Sequence, residues 1–405
     1  MNVLYYSFFA FGAPSYTFRA MPIAICGLLA LAVANGIGRF AFTPILPLMQ
    51  EDAGVSVVQG GWLASANYAG YLVGALWAML HRVDRVRAVR VSLLATGLAT
   101  LAMAFAEGMP AWLALRLAAG VSSAWALIHV SAWCLDRLAA ERRPLLNGIV
   151  FAGVGAGVVV AGLVCVVLMS MGSGSTSAWL ALGAVALVVA GGVWPVFTPG
   201  GPTTGPGPRL QAGFKWSGDA ARLVFCYGAF GLGYIIPGTF IPVMAKQVIR
   251  DPLVFGWAWP VFGLAAAAST LFAVLLLGKL DNRSVWRAAA SAMALGVVSP
   301  LFLPGLTGIV LAAVLVGGTF MVITMVGMQE ARRVAGPNAG VLIAALTSAF
   351  AAGQIAGPLL VSYFAGRAGG FSAALWLACG FLVLSVVFLG PSPAGNEIRK
   401  AYDRS

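Results

Sequence analysis

The stretch Asn35-Gly36-Ile37-Gly38-Arg39-Phe40, continuing Ala41-Phe42-Thr43-Pro44-Ile45-Leu46-Pro47, decides the fold. It lies inside an apolar run from about Met21 to Met49 that a single charge, Arg39, interrupts. At about 1.5 Å per helical residue, such a run crosses a bilayer core of about 30 Å. An arginine in lipid is costly, so Arg39 has to face protein or a water-filled cavity. The stretch also has an echo. Gly231-Leu232-Gly233-Tyr234-Ile235 aligns with Gly36-Ile37-Gly38-Arg39-Phe40, and Pro242 with Pro47, at an offset of 195 residues. The copy keeps the glycines and the proline but places Tyr234 where the first has Arg39. The pattern is that of a duplicated membrane scaffold with one asymmetric charge.

Composition agrees. The 405 residues are 60% hydrophobic and 9% charged, against about 25% charged in soluble proteins. The expected class is an all-α polytopic membrane protein. A net charge of +12 could suggest nucleic acid, but the positions of the charges exclude that reading. Arg19 precedes the first span, Arg39 and Arg116 lie inside spans, and Lys246, Arg250 and Arg367 fall in odd-numbered loops. The rest of the 24 Lys and Arg fall in or next to even-numbered loops, the central loop and the C-terminal tail. By the positive-inside rule both termini are cytoplasmic. The five cysteines, Cys26, Cys134, Cys165, Cys226 and Cys379, lack metal-ligand spacing and read as small packing residues. No metal or cofactor is expected.

Apolar runs give twelve candidate spans: 22–48, 57–80, 88–106, 110–134, 145–170, 177–198, 219–245, 253–278, 285–303, 307–328, 338–364 and 371–390. The tract from Pro199 to Pro208 is too rich in proline and glycine for helix and reads as a linker. The expected organisation is an N-terminal segment (1–20), a six-helix bundle (21–198), a cytoplasmic linker (199–218), a second six-helix bundle (219–390) and a cytoplasmic tail (391–405). Residues 1–20 lack the positive n-region of a cleavable signal. They read either as an interfacial segment or as an extension ahead of a start at Met21. A second internal match supports the duplication: His81-Arg82-Val83-Asp84-Arg85-Val86-Arg87 aligns with Gly278-Lys279-Leu280-Asp281-Asn282-Arg283-Ser284. Two halves in the same orientation imply a pseudo-two-fold axis along the membrane normal and a central site between them.

These features resemble the major facilitator superfamily over about residues 22–390. Asp84-Arg85 and Asp281 resemble its loop motif, and Arg116 through Gly120 resembles its span-four R-x-x-x-G motif. Gly36-Ile37-Gly38-Arg39-Phe40 through Pro47, with Gly61-Trp62-Leu63-Ala64-Ser65-Ala66-Asn67-Tyr68, resembles the YbfB/YjiJ-like branch of bacterial transporters. The resemblance implies a monomeric secondary transporter of the bacterial inner membrane that moves a small-molecule substrate. The antiporter motif G-x-x-x-G-P is incomplete in span five (Gly153 to Val158) but complete in span eleven (Gly353 to Pro358), so it does not argue for antiport.

On a regular helix, Arg39 would share a polar stripe with Asn35 and Thr43. It reads either as an anchor for an anionic substrate group or as a structural arginine satisfied by backbone carbonyls. Arg116 is the second candidate ligand; its stripe runs through Gly120 and Ser123, and packing is the alternative. Asn67 and Tyr71 in span two, Tyr234 in span seven and Gln354 in span eleven are the expected cavity-lining groups. His129 lies about 220° around the helix from Arg116, which opposes a joint relay. His129, Glu51 or the substrate itself could carry a coupled proton. Asp84 and Asp281 can cap the helices that follow them, and the resemblance implies a gating latch at Asp84, Arg85 and Asp281. The twelve acids all fall in loops, tails or span ends. With two cations inside and no carboxylate at mid-membrane, an anionic substrate could supply the missing charge. A multidrug exporter and a non-transporting membrane subunit are the rival readings. The chain carries no H-E-x-x-H, G-x-S-x-G or P-loop motif of an enzyme.

Overall fold

The structure, a computed structural model, describes residues 17–81, 83–138, 144–198, 216–276, 280–365, 367 and 370–390. The expected N-terminal segment, the linker and the tail fall largely or wholly outside these residues, as do Arg82 and Lys279 of the two matching loops. The expected first span is three pieces: α1 (Thr17–Leu31), a π-helical turn (Ala32–Ile37) and α2 (Phe42–Asp52). There follow α3 (Val57–Leu80), α4 (Arg85–Ala102), α5 (Met109–Leu138), α6 (Pro144–Ser170) and α7 (Ser175–Val193). The second half comprises α8 (Gly218–Val248), a short α9 (Pro252–Gly256) leading into α10 (Ala258–Leu276), α11 (Asn282–Phe302), α12 (Leu306–Ala335), α13 (Ala339–Phe364) and α14 (Gly370–Leu389).

These make twelve membrane-spanning units. Ten are both long and apolar enough to cross a bilayer by composition alone. The exceptions among the described residues are α3 and α4, and α4 opens with Arg85, Arg87 and Arg90. Several expected limits shift. The fourth and tenth spans run on to Leu138 and Ala335, beyond the apolar runs, because their last turns are held by ion pairs. Asp84 Oδ1 accepts from the Arg87 N–H at 2.7 Å and starts α4. Asp281 Oδ2 accepts from the Ser284 N–H at 3.0 Å and starts α11. Each acid satisfies a first-turn donor that the helix leaves orphaned.

Within each half the same helices pair, α3 with α5 and α10 with α12. Between halves, α6 packs on α10 and α3 on α13. The α6–α10 seam is close: a Cβ on Gly155 would stand 2.5 Å from the Ala267 nitrogen and 2.7 Å from the Gly263 oxygen. Only hydrogen at that position lets the two backbones meet.

Candidate functional site

The site is built on the break in the first span. Gly38 N–H reaches back five residues to Val33 O (2.9 Å), and both Arg39 N–H and Phe40 N–H turn to Asn35 O (3.3 and 3.1 Å). Pro44 has no N–H to give Phe40 O, so the Thr43 N–H takes that carbonyl at 3.2 Å instead. Arg39 O thereby loses its regular donor. Arg116 supplies one, with Nη2 at 3.1 Å from Arg39 O and Nη1 at 3.4 Å from Gly38 O. Asn67 Nδ2 donates to Arg116 O at 2.9 Å and lies 3.4 Å from Gly38 O. Ser123 Oγ donates to Ala34 O at 2.5 Å. The expected Arg116–Gly120–Ser123 stripe therefore lies against the break. The backbone-carbonyl role weighed for Arg39 is filled by Arg116.

The break needs room as well as donors. A Cβ on Gly36 would sit 2.3 Å from Gly157 Cα, and one on Gly38 would sit 2.3 Å from Thr96 Cγ2. The glycines that identified the stretch are thus contact points with α6 and α4.

Because the chain is π-helical and then turned from 32 to 41, the expected polar stripe of Asn35, Arg39 and Thr43 does not form as a regular i, i+4 face. Arg39 instead reaches across to the other half. Its Nη2 donates to Gln354 Oε1 at 2.5 Å, and Gln354 Nε2 in turn donates to the Tyr234 hydroxyl. Three rings surround the guanidinium, with centroids at 4.1 Å (Tyr71), 5.2 Å (Phe40) and 5.3 Å (Tyr68). Arg39 is 5% exposed and Gln354 0%. Among the described residues no carboxylate pairs with Arg39, and its Nε has no hydrogen-bond partner.

The sequence reading missed several members of this cluster. Tyr68 hydroxyl and Thr239 Oγ1 meet at 3.0 Å across the halves. Tyr234 is stacked between Phe320 and Phe350, each with its ring centroid 5.6 Å away. Phe262, Trp259 and Phe40 continue the aromatic run. Tyr68 stood in the quoted motif and could have been found by its spacing from Asn67 and Tyr71. Phe320 and Phe350 carry no sequence signal that separates them from packing residues.

Among the described residues, the hydrogen bonds found between the halves lie from this cluster toward the end opposite the arginine-rich loops. Thr43 Oγ1 donates to Gly238 O (3.1 Å), Ser65 Oγ to Ile355 O (3.0 Å) and Ser362 Oγ to Val58 O (3.1 Å). At the far end, Lys246 Nζ pairs with Glu51 Oε1 at 2.6 Å and donates to Pro47 O at 3.1 Å. A cleft of about 250 Å³ opens beside that pair, between Pro47, Glu51, Asp52, Met169 and Phe255. Thr43–Gly238 and Glu51–Lys246 are both pairs of residues 195 apart, so the duplicated positions meet on the symmetry axis.

The remaining candidates fall elsewhere. His129 packs edge-on against Trp125, which meets Trp77, which meets His81. Arg85 pairs with Asp136 of its own half at 2.5 Å. In the second half Glu330 is fully buried: it accepts from Arg283 Nε at 2.5 Å and from Arg333 at 2.6 and 2.8 Å. Arg283 also reaches Asp219 at 2.5 Å. Glu330, expected in a loop, tail or span end, is thus a buried member of an ion cluster on a helix that continues past it to Ala335.

A family model described as "Uncharacterised MFS-type transporter YbfB" matches residues 31–389. No curated protein matches in a sequence search. Among solved structures, the crystal structure of a point mutant of the nucleoside transporter NupG aligns with a TM-score of 0.71 at 13% identity, covering 92% of this chain and 99% of that one. At that identity the likeness is one of fold. The chain belongs to the YbfB-like family of major facilitator transporters, and is a multi-pass membrane protein with the fold of that superfamily.

Proposed function

We propose that this transporter carries a small organic anion by alternating access, with Arg39 taking the anionic group. One observation carries the reading: Arg39 is a buried guanidinium whose described partner is an amide oxygen rather than a carboxylate. A buried cation without counter-charge is costly, and an anionic solute supplies the missing charge. Tyr71, Tyr234 and Gln354 line the same site, while Arg116 and Asn67 hold the break that presents Arg39. The two bundles, 21–198 and 219–390, are the rocking units. With both termini in the cytoplasm of a bacterial inner membrane, the far-end bonds correspond to a conformation closed to the outside. Asp84, Arg85 and Asp281, bonded here within their own halves, then engage when the arginine-rich end closes. His129 packs on Trp125 and Glu51 pairs with Lys246, so a coupled proton fits best as one carried by the solute.

The test is thermal unfolding of the detergent-purified protein against a panel of small organic anions, cations and neutral compounds. A ligand at about a hundred times its dissociation constant stabilises the binding state by about 2.7 kcal/mol. Hits among anions that vanish in a folded Arg39→Ala variant support the reading, and hits confined to lipophilic cations refute it. The stacked Phe320–Tyr234–Phe350 rings favour a second reading, an uncharged aromatic solute such as the nucleosides named for NupG. Nucleoside hits that survive Arg39→Ala would select it.

A further inference from the structure

A guanidinium has donors and no acceptor, so the Gln354 amide must turn its oxygen to Arg39 and its NH2 group to Tyr234. That amide joins two positions 195 residues apart, the duplicated Arg39 and Tyr234, at the centre of the molecule. It does so from α13, a helix of the second half, while Arg39 belongs to the first. All three side chains are 5% exposed or less. The space in front of the guanidinium is thus filled by Gln354 itself.

We infer that Gln354 is an internal stand-in for the transported anion: its Oε1 occupies the place of a substrate carboxylate oxygen, and substrate binds by displacing it. The inference rests on the anion reading above and adds a consequence for the transport cycle. The displaced bond is one of the links between the halves. A carboxylate that takes Arg39 breaks the Arg39–Gln354 bridge, so binding itself loosens the halves at their centre. Carboxylate is the favoured class because it shares the planar geometry and the oxygen lone pairs of the amide it replaces, and it can take the guanidinium with two oxygens rather than one. Tyr234 holds the amide by its NH2 edge.

The experiment compares wild type, Gln354→Leu, Gln354→Glu and Arg39→Gln by thermal unfolding in detergent, alone and with a panel of small monocarboxylates. Gln354→Leu removes the competing oxygen and leaves a side chain that no hydrogen bond holds in front of Arg39, so carboxylates should bind at least about tenfold more tightly than to wild type. Gln354→Glu places a fixed carboxylate on Arg39. It should melt higher than wild type without ligand and lose all response to the panel, and the gain should disappear in the Arg39→Gln/Gln354→Glu double variant. Weaker carboxylate binding in Gln354→Leu, with binding intact in wild type, would make Gln354 a direct ligand and overturn the inference while leaving the anion reading standing. A Gln354→Glu protein that still binds carboxylates overturns it as well. If no carboxylate shifts wild type or Gln354→Leu, the anion reading itself falls and the inference with it.

Discussion

Replacing Arg116 separates two roles that its place in the sequence cannot. As a substrate ligand, Arg116 would be dispensable for stability and essential for binding. As the donor that satisfies the broken first span, it is the reverse. Its guanidinium spans two carbonyls, Arg39 O at 3.1 Å and Gly38 O at 3.4 Å, and lies over the Phe42 ring at 4.8 Å. A hydrogen bond from a charged donor contributes about 1.5–3 kcal/mol. The 3.4 Å contact is long enough to count at or below the lower end. Together they give about 3 kcal/mol for Arg116→Ala, roughly a hundredfold in the folding equilibrium. Arg116→Lys keeps one donor group that cannot reach both carbonyls at once, and should lose about half as much. The assay is reversible denaturant unfolding in detergent micelles, run beside ligand-induced melting shifts on whatever protein remains folded. A fully stable Arg116→Ala that no longer binds any ligand would refute the argument and restore Arg116 to the substrate.

Further outcomes follow from the packing. Gly36→Ala drives a methyl to 2.3 Å from Gly157 Cα, backbone against backbone, and should cost at least about 1–3 kcal/mol in unfolding experiments, whereas Gly318→Ala, with open space around it, should be neutral or slightly stabilising. Glu330→Gln leaves Arg283 and Arg333 facing a neutral group in a buried cluster and should destabilise by up to about 3–5 kcal/mol, against about 1 kcal/mol for the cap removed in Asp84→Ala; equal losses in the two variants would show that burial of the cluster adds nothing. Lys246→Met removes the far-end pair, whose Glu51 is exposed, so the closed population should fall by no more than about fivefold. Maleimide labelling of a cysteine placed at Ser362 would read that change, and an unchanged labelling rate would remove the pair from the gate.

Much of this architecture was legible because the bilayer restricts the chain to few solutions. The runs of apolar residues gave the spans, and the Gly36/Gly231 offset gave the two halves. What stayed hidden was the backbone at 32–41. Pro44 and the glycines signalled a disturbed helix, but which carbonyls lost their donors depended on Arg116 and Asn67 from two other helices. Helical spacing placed Arg39 on one face with Asn35 and Thr43, and a π-turn followed by a break removed that face. Arg39 was found because a charge inside an apolar run is conspicuous. Phe320 and Phe350 were not, because an aromatic residue in such a run looks the same whether it stacks in a site or fills a core.

The duplicated scaffold also bears on why only one copy of the motif carries the charge. On a two-fold axis a side chain meets its own duplicate, as Glu51 meets Lys246 and Thr43 meets the backbone of Gly238. Positions 39 and 234 converge in the same way on a single amide, which has one oxygen to accept and one NH2 group to donate. Arginine at both positions would bring two buried cations to that amide and leave its NH2 edge facing a donor. Tyrosine at 234 accepts from the NH2 edge, adds no charge and supplies a ring to the Phe320–Phe350 stack. Tyr234→Arg should therefore misfold or eject one cation from the centre, whereas Tyr234→Phe should fold and lose only the hydroxyl's bond to Gln354. Melting of the two variants in detergent checks this, and a Tyr234→Arg protein as stable as Tyr234→Phe would count against it. Asymmetry at this position is what lets a symmetric scaffold bring one cation, not two, to the shared amide of Gln354.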